Sequence, residues 1–77
     1  MSDRLYQTIA GVLDVAPDSL TEESSPETIP TWDSLNHLNL VMALESEFGI
    51  SLSIDETLEM GSVALIRDIA RKHGAEV

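Results

Sequence analysis

A chain of 77 residues has room for one domain and one small core, burying roughly 60% of the surface its unfolded form exposes, and that size argues against a deep enzyme cleft. Apolar residues make up 43% but Trp, Tyr and Phe occur once each, so the core must be built from Leu, Ile, Val and Met; with no cysteine, neither a disulfide nor a thiolate of the chain's own is available. Fourteen acids against four bases give a formal net charge of -10, a field that repels nucleic-acid phosphates and anionic membranes and favours encounter with basic protein patches.

The acids run through the whole stretch between residues 5 and 66, which contains no Lys or Arg, whereas Arg67, Arg71 and Lys72 gather near the end. No run approaches the ~18 consecutive apolar residues of a membrane span, and residues 1–13 lack the charged-then-apolar order of a signal peptide. The expectation is one domain over residues 1–77, cytoplasmic and monomeric, without repeats or low-complexity tracts.

In chain order, a first helix is expected after Ser2 or Asp3, either of which can cap it, with Leu5, Ile9, Val12 and Leu13 at the helical period. The Ala16-Pro17-Asp18 segment should end it, because proline disfavours helix before itself and cannot donate to the ladder. Residues 15–33 form a long connection holding all three prolines, in which Leu20 and Ile29 are expected to pin the loop to the core. Pro30 delays helix formation, and Asp33 then offers a short side-chain oxygen to the amides of a second helix beginning at Ser34.

Projected at 100° per residue, the second helix places Leu40, Val41, Leu44 and Phe48 on one arc and Leu35, Leu38 and Met42 on a neighbouring one, while Asn36, Asn39, Ala43, Ser46 and Glu47 face away. The first arc alone suffices for a core-facing stripe, so either a short neighbouring helix covers the second or it is left for a partner or bound chain. Met42, being flexible, is the residue best suited to exposure. Gly49 closes the helix. Ile50, Leu52 and Ile54 alternate with serines like a strand but find no second strand to pair with, so they read as an extended connector burying three aliphatics. A short helix comes next near residues 55–60, its acids Asp55, Glu56 and Glu59 read as a solvated face. After Gly61, Ser62 can cap a last helix with Val63, Ile66, Ile69 and Ala70 buried and Leu65 beside them, stopped by Gly74 after the basic residues Arg71, Lys72 and His73. The fold class is all-α, a small four-helix bundle with a long first loop and a short third helix.

Ser34 stands out by position. It lies in the first turn of a helix that comes after a long loop, where free amides and the positive end of the dipole favour an attached phosphate, although a serine is also an ordinary residue of a helical first turn. The run Trp32-Asp33-Ser34-Leu35, continuing through Leu40-Val41-Met42-Ala43-Leu44-Glu45-Ser46-Glu47-Phe48-Gly49-Ile50, closely resembles the acyl carrier protein family, in which Asp-Ser-Leu opens the second helix. The likeness extends over the leading helix, the long loop, the short acidic third helix and the closing helix.

That resemblance implies a non-catalytic carrier whose Ser34 bears a 4′-phosphopantetheine arm, donated from coenzyme A by a phosphopantetheinyl transferase with magnesium. The arm's thiol would tether acyl intermediates as thioesters for partner enzymes of fatty acid, polyketide or related synthesis that carry basic docking patches. It further implies that Asp33 positions the helix start and helps the transferase locate magnesium, and that Leu35, Leu38, Met42, Glu45 and Glu47 form the recognition face. Trp32 and the Asn36-His37-Leu38-Asn39 stretch depart from the housekeeping fatty-acid pattern, so the chain resembles a specialised discrete carrier. Peptidyl carriers resemble it less, since Ile29-Pro30-Thr31-Trp32 replaces their glycine-rich lead into the serine; D-alanyl carriers stay open as a cargo class.

An enzyme would need a nucleophile, base and pocket, yet the only histidines are His37, read as a partly covered structural residue, and His73, read as complementing a helix end. No segment has the alternating ligands, central glycine and terminal glutamate of an EF-hand loop. The rival in another class is an acidic helical adaptor that binds partners through the second helix without being modified.

Overall fold

The apolar period at Leu5, Ile9 and Leu13 forms the first helix, α1 (Arg4–Leu13), in a computed structural model that describes residues 4–77. The expected caps Ser2 and Asp3 lie outside the described residues. The helix stops earlier than Pro17 requires. Asp14 takes the left-handed conformation (φ 57°) and the Val15 amide donates back to the Ala10 carbonyl at 3.1 Å, a Schellman closure completed before the proline is reached. Pro17 instead opens a single 3₁₀ turn, Pro17–Ser19.

Asp14 is the described non-glycine residue with positive φ, and its carboxylate sits at the negative end of α1. Both features oppose the helix end they terminate. Asp14→Gly is expected to stabilise the fold by about 0.5 to 1 kcal/mol, the relief of strain and dipole repulsion exceeding the added chain entropy. A lower thermal midpoint for the variant would show that the aspartate side chain supplies a compensating bond.

The long loop is pinned as its isolated apolar residues require: Leu20 and Ile29 are buried, and so is Trp32. It is also stapled to the last helix. The orphan amides of Val63 and Ala64 donate to the loop carbonyls of Ser24 and Glu22 at 3.0 and 2.9 Å, so the loop serves as the cap that a helix start needs. Glu22 further receives Arg67 Nε at 2.9 Å on one oxygen and both Arg67 Nη2 (3.1 Å) and the Tyr6 hydroxyl (2.6 Å) on the other. That carboxylate, accepting the phenolic proton, raises the Tyr6 pKa above its ordinary value.

The second helix, α2 (Ser34–Phe48), begins and ends where the sequence indicates, with Asp33 as N-cap and Gly49 in the left-handed conformation at the other end. Its Leu40, Val41 and Leu44 join Leu5, Ile9 and Leu13 of α1 in one apolar cluster. The third helix, α3 (Ile54–Leu58), opens one residue earlier than expected through a capping box: the Ser53 hydroxyl accepts the Glu56 amide, and the Glu56 carboxylate accepts the Ser53 amide. Two expectations fail here. The connector does not bury its three aliphatics: Ile50 and Leu52 are only half-buried, and Ile54 is 79% exposed because the capping box turns it outward at the first helical position. Nor is Glu56 part of a solvated face; it is buried, its carboxylate meeting His73 Nε2 at 2.8 Å and Lys72 Nζ at 3.1 Å.

The last helix, α4 (Val63–Lys72), is capped by the Ser62 hydroxyl on the Leu65 amide and buries Val63, Ile66, Ile69 and Ala70 as its period requires, while Leu65 remains substantially exposed. Gly74 (φ 91°) closes it with a bond from the Ala75 amide to the Ala70 carbonyl, so α1, α2 and α4 all end on the same device. His73, expected to serve only the helix end, reaches across to Glu56 and ties α3 to α4. The architecture is all-α, with four helices and no strand among the described residues.

Candidate functional site

Ser34 is the first residue of α2 and is exposed to solvent. The helix start behind it is well accounted for. Asp33 Oδ1 accepts the Asn36 amide at 2.9 Å, and the Asp33 carbonyl accepts the His37 amide at 2.8 Å. The amides of Ser34 and Leu35 lie ahead of the intrahelical ladder, so the positive end of the helix opens at the serine itself.

The segment leading into Ser34 is held at several points. Thr31 Oγ1 donates to the Leu13 carbonyl at 2.6 Å, fastening the loop to the end of α1, and Asn36 Nδ2 donates to the Thr31 carbonyl at 2.8 Å. Trp32 Nε1 donates to His37 Nδ1 at 3.0 Å, and the two rings stack with centroids 6.2 Å apart. Because the indole only donates, Nδ1 must be the acceptor; Nε2 therefore carries the proton and donates to the Thr57 carbonyl at 2.7 Å. A single neutral imidazole thus links the loop, α2 and α3. Pro26, Trp32, Asp33, Ser34 and His37 surround an open depression of about 430 Å³ at the serine.

The residues expected to form a recognition face separate into two groups. Leu35, Leu38 and Met42 are 68%, 57% and 53% exposed, so no neighbouring helix covers the second apolar arc of α2. The short α3, tied to α2 by the His37–Thr57 bond, leaves that arc uncovered, and its own Ile54 and Leu58 are also exposed. Glu45 comes three positions after Met42 on the same side, with one oxygen accepting the Leu52 amide at 2.8 Å. Glu47 stands apart. It faces α1, where its carboxylate meets Arg4 Nε at 2.9 Å and its carbonyl accepts Arg4 Nη2 at 2.7 Å.

Sequence reasoning missed the Trp32–His37–Thr57 connection and the contribution of Ile54 and Leu58. The spacing of Trp32 and His37 across a helix start gave a signal for the first, since residue 37 lies on the first turn above the capping residue. The i, i+4 spacing of Ile54 and Leu58 gave one for the second.

No family model matches the chain. Among curated proteins it is similar to mitochondrial acyl carrier protein 2 of Arabidopsis thaliana, 29% identical over 73 residues, covering 95% of this chain and 58% of that protein's length. It is likewise similar to the acyl carrier protein of Zymomonas mobilis, 34% identical over 62 residues and covering 80% of each. Among solved structures, the solution structure of holo acyl carrier protein from Geobacter metallireducens superposes with a TM-score of 0.81 at 32% identity, covering 90% of this chain and 79% of that one. Similarity of sequence over most of the chain and similarity of fold therefore point the same way: the chain belongs to the acyl carrier protein family, whose members are non-catalytic carriers.

Proposed function

We propose that Ser34 carries a 4′-phosphopantetheine arm and that residues 1–77 act as a single carrier domain, presenting acyl cargo to partner enzymes. The observation that supports this most is the exposed Ser34 hydroxyl at the open, positive start of a capped helix, in a chain of the acyl carrier family with a holo relative of the same fold. The residues present fit the group. A phosphodiester on Ser34 Oγ would meet the helix start rather than a carboxylate cluster, and the depression beside it leaves room for the pantetheine chain beyond the phosphate. When bound, the group supplies the thiol that this cysteine-free chain lacks, holding acyl cargo as a thioester.

The chain's own residues then have three tasks. Asp33 fixes the first turn, so that the Ser34 hydroxyl is presented outward to a phosphopantetheinyl transferase, and its carboxylate helps that enzyme's magnesium find the site. Leu35, Leu38 and Met42, extended by Ile54 and Leu58, give partners an apolar face; Glu45 ends that face and Glu47 serves from the α1 side. The net charge of -10 draws in the basic patches of acyl-loading and acyl-processing enzymes of fatty acid, polyketide or related synthesis. We place the domain in the cytoplasm as a monomer; no helix among the described residues is long and apolar enough to cross a membrane.

Incubation with coenzyme A, magnesium and a broad-specificity phosphopantetheinyl transferase is expected to add the mass of one phosphopantetheinyl group to the chain and none to Ser34→Ala. A mass unchanged with several active transferases would instead identify an unmodified acidic adaptor.

A further inference from the structure

The depression at Ser34 is lined by Pro26, Trp32 and Asp33 of the long loop together with Ser34 and His37 of α2, and none of the exposed apolar residues Leu35, Leu38 and Met42 takes part in its walls. Its walls are rigid for reasons visible in the backbone. Pro26 sits inside a turn closed by bonds from the Thr28 and Ile29 amides to the Ser25 carbonyl at 3.0 and 2.9 Å, and from the Ser25 amide to Thr28 Oγ1 at 3.0 Å. Trp32 is held by its own amide on the Ile29 carbonyl at 3.0 Å, by its indole N–H on His37, and by the stacked imidazole. Trp32 is 3% exposed, so it gives this wall a small, fixed surface next to Pro26.

From this geometry we infer that Pro26 and Trp32 form a resting site for the pantoyl segment of the arm, the part with a dimethyl-substituted carbon next to the phosphate. The inference rests on the proposal that Ser34 is the attachment point. Ser34 itself lines the depression, so a segment attached to it needs no long reach and meets the site at the high effective concentration of a short tether. Preformed walls lose little freedom when the site is filled, which lets a weak apolar contact hold the first portion of the arm. The distal thiol remains free, and the apolar face of α2 and α3 remains open to partners. Resting on the loop side keeps the arm off the surface that those partners need.

The test uses the full chain, isotope-labelled, before and after enzymatic loading, with intact mass confirming that Ser34 is modified. Trp32 is the only tryptophan, so its indole N–H is a single reporter. The expected result is a shifted indole resonance on loading and nuclear Overhauser contacts from the geminal methyls of the arm to Pro26 and Trp32. Pro26→Ala should load equally, keep the unloaded indole resonance of the wild type, and lose most of those contacts. A loaded protein whose methyls contact Leu35, Leu38 or Leu58, or nothing, overturns the resting site while leaving the carrier reading intact. Absence of any mass gain overturns both.

Discussion

Leu44→Ala is expected to lower stability by about 2 to 5 kcal/mol, the range for removing a large aliphatic side chain from a closed core. Leu44 is 1% exposed within the cluster that joins α1, α2 and α4, and so little freedom to collapse around the lost atoms places the change away from the low end. Domains of this size have roughly 4 to 12 kcal/mol in all, so the variant would lose a large share of what keeps it folded. The thermal midpoint should fall by roughly 10 to 30 °C, read by circular dichroism. Met42→Ala, two positions earlier on the exposed side of the same helix, should stay within about 0.5 kcal/mol of the parent. Equal effects from the two substitutions would mean that the buried and open faces of α2 are wrongly assigned. If they differ as expected, Met42→Ala becomes a clean test of partner binding, because its folded state is intact.

That contrast also shows how far periodicity can be read. The split of α2 into two apolar arcs was legible in the sequence, as were its aspartate cap and glycine stop, because these depend on residues within a turn or two of each other. Whether the second arc would be covered was not legible. It depended on how the connector delivers α3, and that was decided by Ser53 and Glu56 forming a capping box which turns Ile54 outward. Alternation at Ile50, Leu52 and Ile54 suggested three buried side chains, but the first two are only half-buried and the third belongs to a helix start and obeys its geometry. The end of α1 was hidden for a related reason: proline is a conspicuous breaker, whereas an aspartate at positive φ leaves no mark in composition.

Ser34 itself was found by position and by likeness to a family, and its surroundings were only partly legible. The cap by Asp33 is local, but the bonds from Trp32 to His37 and from His37 to Thr57 join segments 5 and 20 residues apart in sequence. Through them the loop that presents the serine depends on where α3 sits. The placement of α3 in turn depends on Glu56, since five helical residues with two of their large aliphatics exposed bring little apolar burial of their own.

Glu56 therefore offers a handle on the site from the far side of α3. Its carboxyl, ordinarily near 4.5, is held at about 2, first by the Ser53 amide and then by His73 and Lys72, against an opposing effect of burial. A carboxyl whose folded pKa is depressed contributes stability that is present above the unfolded value and disappears as pH falls through the folded one. The contribution should thus be complete at neutral pH and lost between about 4.5 and about 2. Glu56→Gln keeps an oxygen for the Ser53 amide but loses the charge facing His73 and Lys72. At neutral pH the variant should be less stable than the parent and exchange the Thr57 and Glu59 amides faster, these being the amides that α3 closes onto Ser53 and Asp55. The stability gap should narrow as pH falls from about 4.5 toward about 2, where the parent's carboxyl takes up its own proton. A gap that is constant with pH would assign the role of Glu56 to shape rather than charge. If the gap narrows, and the Trp32 indole resonance shifts in the variant at neutral pH, then α3 and the loop before Ser34 are coupled through His37 as the bonds indicate.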